Sequence, residues 1–75
     1  MSQHQRIVSD PAVMMGKACI RGTRITVEHV LRKLATGHSQ SDLLEAHSNI
    51  SEDDIRAALA FAADYMQHEA VFAAE

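Results

Sequence analysis

The stretch Ile50-Ser51-Glu52-Asp53-Asp54-Ile55 constrains the fold more than any other, because it carries a complete helix start. Ser51 fits the N-cap, where a hydroxyl accepts from a free backbone N–H of the first turn. Asp54, three residues on, is a shortened capping-box partner. Ile50 and Ile55 have the spacing of a hydrophobic staple across that cap. Beyond it, Ile55, Ala58, Leu59, Ala62 and Met66 share one helical stripe, which predicts a buried face. A long amphipathic helix cannot stand alone, so the rest of the chain has to cover it.

Two shorter helices precede it in the pattern. Thr26 is a plausible N-cap, and Ile25 and Val30 form a second staple. Val27, Val30, Leu31 and Leu34 follow at i, i+3, i+4 and i+7, and Gly37 supplies the left-handed residue that ends the helix. Arg32 and Lys33 lie off the apolar face, near the negative end of the helix dipole. Next, Ser39 or Ser41 caps a shorter helix with Leu43, Leu44 and either Ala46 or His47 inward. Ser48-Asn49 breaks it, Asn49 tolerating the left-handed region. Helix, short break, helix in so few residues is a helix-turn-helix arrangement.

The N-terminal part reads differently. Met1 to Gln5 has no periodicity, and Ile7-Val8 is a short extended piece stopped by Asp10-Pro11. Ala12 to Met15 fits one helical turn with Ser9 or Asp10 as its cap, and Met14 and Met15 are expected to fill gaps in the core. Two short arms, Ala18 to Ile20 and Arg24 to Thr26, flank an Arg21-Gly22-Thr23 turn. Gly22 takes positive φ without steric cost, so a tight reversal is expected there, with the Arg21 and Arg24 guanidiniums close together on one edge. The fold class expected is mainly α: a three-helix helix-turn-helix domain, homeodomain-like or winged-helix-like, with a short N-terminal strand or hairpin region. Its expected limits are 7–66, with a flexible 1–6 before it and a helical extension or tail over 67–75.

At 75 residues this is one domain with a thin core, because so short a chain buries only about 60% of its unfolded surface. A partner surface is a natural supplement. Cys19 is the single cysteine, so no intrachain disulfide forms, which fits a reducing compartment. No apolar run reaches the length of a membrane span. A cytoplasmic protein without a membrane role is expected. The net charge of −3 hides two unlike halves. Residues 1–35 hold six bases and two acids, whereas residues 36–75 hold one base and eight acids. Each half suits a different class of surface.

A resemblance joins these pieces. Asp10-Pro11, Gly16-Lys17 and Ile20-Arg21-Gly22-Thr23-Arg24-Ile25 resemble the signature of a bacterial and archaeal family, "domain of unknown function 433". Gly37-His38-Ser39, Leu43-Leu44 and the run from Asp53 to Ala63 resemble its C-terminal half. The match extends from about Ile7 to about Met66. The resemblance implies an antitoxin of the VapB kind, often encoded beside a PIN-type ribonuclease toxin, with a helix-turn-helix-like fold.

Chemistry points to binding rather than turnover. Histidines 4, 29, 38, 47 and 68 are scattered without metal-ligand spacing, Cys19 sits among apolar neighbours, and no phosphate loop or nucleophile elbow is present. Neither an enzyme activity nor a cofactor is expected. Glu52, Asp53 and Asp54 suit the positive end of a helix dipole better than a metal cage, but they oppose the usual docking of such a helix on DNA. The expected nucleic-acid or toxin-binding residues are therefore Lys17, Arg21, Arg24, Arg32 and Lys33, through phosphate contacts that release counterions. In the toxin reading, Arg21 or Arg24 pairs with the carboxylates of a nuclease metal site. A second stripe, Phe61, Tyr65, His68 and Phe72, marks a protein interface, either for a homodimer or for gripping the toxin. The alternatives are a stand-alone helix-turn-helix regulator and a dimeric interaction module.

Overall fold

The computed structural model describes residues 4–67. Strand β1 is Ile7–Val8 and β2 is Cys19–Ile20; three helices follow, α1 at Val27–Ala35, α2 at Gln40–Ala46 and α3 at Glu52–Met66. The result is a small, mainly helical domain with a two-stranded antiparallel ribbon.

Each helix starts and stops through local chemistry. At α3, Ser51 Oγ accepts from the Asp54 N–H at 3.3 Å while Asp54 Oδ2 accepts from the Ser51 N–H at 3.0 Å, closing the expected capping box. Ile50 and Ile55 are both buried beside it. At α1, Thr26 Oγ1 accepts from the His29 N–H at 2.9 Å. That helix ends as the glycine predicts: the His38 N–H reaches Lys33 O and the Gly37 N–H reaches Leu34 O, each at 3.1 Å, with Gly37 at φ +102°. This is the paired 6→1 and 5→2 closure of a left-handed cap. At α2 the cap is Ser39, whose hydroxyl exchanges hydrogen bonds with Asp42 in a second capping box.

Strand β2 is the centre of the N-terminal region. On one edge it pairs with β1 in the register Ile7 opposite Ile20 and Val8 opposite Cys19. On the other edge Ile20 N–H donates to Ile25 O and Val27 N–H donates to Ala18 O, each at 2.9 Å. The two expected arms thus face each other across the Arg-Gly-Thr turn, where Gly22 has φ +81° and Thr23 N–H donates to Ile20 O at 3.0 Å. Ile7-Val8, expected as a short extended piece, pairs with β2 and satisfies its second edge.

The core is built by Ile7, Ile20, Val27, Val30, Leu43, Ile50, Ile55 and Ala58. These branched residues close it without the methionines. Met14 and Met15, expected inside, are 42% and 89% exposed. The right-handed turn expected over Ala12 to Met15 is replaced: Asp10 Oδ1 accepts from the Ala12 N–H at 2.9 Å, and Met14, Met15 and Gly16 then all take positive φ. Met66 is also a correction, being 50% exposed. The reason is length. Nine-residue α1 covers about 14 Å and fifteen-residue α3 about 22 Å, so the last turn of α3 outruns its support.

Candidate interaction site

The five expected basic residues do not form one patch. Lys17 and Arg32 do come together, on Glu28. Lys17 Nζ lies 3.0 Å from Glu28 Oε1, and Arg32 Nε and Nη2 lie 3.2 and 3.1 Å from Glu28 Oε2. The hydrogen bonds from Lys17 and then Arg32 hold the Glu28 carboxyl below its ordinary range. Lys33 is exposed on α1 and makes no ion pair among the described residues.

The Arg-Gly-Thr turn separates its two arginines instead of joining them. Arg21 Nε donates to Gln5 O at 2.7 Å, and this side chain borders a hollow with Gln5, Arg6 and Asp54. Arg24 borders another cleft, of about 650 Å³, with Asp10, Cys19, His47 and Asn49. Arg21 lies in the turn and Arg24 on the arm that follows it, and the contact to Gln5 draws Arg21 toward the β1 side. Arg24 is exposed and makes no hydrogen bond or ion pair among the described residues.

Acidic residues at the start of α3 are already paired. Arg6 meets Asp54 at 3.0 Å and Asp53 at 3.8 Å, while Arg56 meets Asp53 at 2.7 Å and Glu52 at 3.9 Å. The hydrogen bond from Arg56 lowers the Asp53 pKa. The Arg56 contacts were readable from i+3 and i+4 spacing. Arg6 stands far away in sequence, and no local signal marks it. Residues 4–6, placed by sequence in a flexible N-terminus, also contribute Gln5 O to Arg21, and His4 Nε2 lies 2.6 Å from Asp64 Oδ2.

An apolar groove of about 700 Å³ lies between α1, the end of α3 and the approach to β2. Ala18, Val27 and Leu31 form one side and Phe61, Tyr65 and Met66 the other, with the Lys17–Glu28–Arg32 cluster at its rim. Phe61 is half-buried, stacked on Tyr65 at a centroid distance of 6.4 Å and edge-on to His4 at 5.5 Å. Two of the expected interface residues thus share one site with two of the expected basic residues. The other two, His68 and Phe72, lie outside the described residues. Among the described residues no three His, Cys, Asp or Glu side chains gather to hold a metal. No described helix is long and apolar enough to cross a membrane.

A small three-helix domain with this ribbon and turn is a recurrent unit. Residues 7–62 match the family model described as "Protein of unknown function (DUF433)". The chain belongs to that DUF433 family. It is 36% identical over 56 residues to the uncharacterized protein y4eO of Sinorhizobium fredii, a match covering 75% of this chain and 25% of that protein. It also superposes on a crystal structure of a DUF433 member from Anabaena variabilis with a TM-score of 0.79 and 27% identity, covering 84% of this chain and 62% of that one. The chain therefore spans about a quarter of the length of the first relative.

Proposed function

We propose that this chain is a non-catalytic, antitoxin-like protein that binds and neutralises a PIN-type ribonuclease toxin in the cytoplasm. The observation that carries this reading is Arg24: an exposed guanidinium without a partner among the described residues, on the arm that follows a turn held by two backbone ladders. Such a group can give two parallel hydrogen bonds to one carboxylate of a nuclease metal site and compete with the metal there. Arg21 is less available, since its Nε is already engaged. The test is co-expression with the product of the adjacent reading frame, which this reading expects to be an acidic-cluster nuclease, read by co-purification and by growth. Neutralisation is expected for the native chain and lost in Arg24→Ala; a nuclease that neither co-purifies nor is restrained ends the reading.

A second reading, promoter binding by a homeodomain-like or winged-helix-like helix-turn-helix, draws support from the start of α3. Arg6 and Arg56 compensate the three carboxylates there, which weakens the electrostatic objection to docking on DNA. Either alone as a regulator or together with a toxin, the chain is then expected to bind weakly and with steep salt dependence through Lys17, Arg21, Arg24, Arg32 and Lys33. Binding to its own promoter at two salt concentrations checks this, and no binding at the lower salt removes it.

A further inference from the structure

The four large apolar side chains exposed among the described residues are Met14, Met15, Tyr65 and Met66. Tyr65 and Met66 line the groove, and Met14-Met15 immediately precede in sequence Gly16 and Lys17, which also line it. The methionines are held at φ +49° and +57°, values unfavourable for a residue with a Cβ and typical of surfaces under functional demand. The Met66 thioether and the stacked Phe61 and Tyr65 rings form a face suited to protein contact.

We propose that a second copy of this chain covers the groove, the end of α3 from each copy lying against α1 and the Met14–Lys17 turn of the other. Charge selects this occupant. Lys17 and Arg32 surround a single Glu28 at the rim, leaving it net positive. The stretch from Phe61 to Glu75 holds Asp64, Glu69 and Glu75 and no Lys or Arg. A two-fold pairing sets each basic rim against the other copy's acidic end, makes both contacts at once, and closes without extending to a fibre. The groove is separate from the Arg24 cleft, so the dimer stands or falls independently of the toxin reading.

Sedimentation velocity on the whole chain, from micromolar to millimolar concentration, tests it. The expected species has twice the 8.2 kDa chain mass. Tyr65→Glu and Met66→Glu should each weaken dimerisation by at least about tenfold, as for a central anchor in an interface. Lys17→Glu should weaken it less, and Lys33→Glu, outside the groove, not at all. Positions 65 and 66 are exposed, so at concentrations where the native chain is monomeric the circular dichroism melts of these variants should match its own. A monomer at every concentration overturns the proposal, including one whose groove receives only a toxin. So does a dimer indifferent to both Tyr65→Glu and Met66→Glu in variants shown to be folded.

Discussion

The two ends of α3 are opposites. At its start, Ser51 and Asp54 cap each other, Ile50 and Ile55 are buried, and the carboxylates meet Arg6 and Arg56. At its end, Tyr65 and Met66 are exposed over a groove, and no basic residue stands in its last turn. One helix thus carries a segment whose interactions are satisfied within the domain and a segment whose apolar surface is left available. The first holds the fold together. The second, with Arg24, is where the proposed macromolecular contacts would fall.

That contrast breaks most easily through stability. Ile55 is fully buried, so Ile55→Ala should cost about 2–5 kcal/mol, the range for deleting a core aliphatic, and should leave so small a domain largely unfolded in a urea titration. Tyr65→Ala, by contrast, should lie within about 0.5 kcal/mol of the native chain at concentrations where both are monomeric, as exposed substitutions do. Equal costs would erase the distinction between the two ends.

Smaller losses sharpen it. Ser51→Ala removes one side of the capping box and should cost about 1 kcal/mol, read as a lowered melting temperature. Arg6→Ala should cost less, because its pairs with Asp53 and Asp54 are at the surface and worth about 0–1 kcal/mol. A cost for Arg6→Ala above that for Ser51→Ala would show that the ion pairs, and not the cap, fix the start of α3.

Acid supplies the mildest perturbation. Glu28, Asp42 and Asp53 all have folded pKa values lowered from 4.5, 3.8 and 3.8 respectively. For Glu28 and Asp53 the main cause is a cationic hydrogen-bond partner; for Asp42 it is the Ser39 backbone N–H. A lowered carboxylate pKa stabilises the fold above the unfolded value, and the gain disappears as pH falls through the folded value. Melting temperature should therefore decline below about pH 4.5, and by little, since solvent screens these exposed groups. In Glu28→Gln the decline should be shallower.

Much of this was legible in the chain. The caps at Thr26, Ser39 and Ser51, the Gly37 stop and the Gly22 turn follow from near-neighbour chemistry, and the structure contains each of them. What escaped was set by distance in sequence. Arg6 meets Asp54 and β1 meets β2 only once the domain is assembled. Arg21 and Arg24, three residues apart, border different hollows because one is drawn to Gln5. The methionines were misplaced because Met suits both a core gap and a contact surface, and composition does not choose between them.

The central claim is that the chain grips a macromolecule with groups its own fold leaves unused. Isothermal calorimetry of the native chain, Arg24→Ala and Lys33→Ala against the product of the adjacent reading frame, the proposed nuclease partner, tests it most directly. Losing a bidentate guanidinium–carboxylate contact should weaken binding by at least about tenfold in Arg24→Ala, consistent with about 1.5–3 kcal/mol for a charged hydrogen bond, while Lys33→Ala should bind as the native chain does. Equal affinity for all three would contradict the account.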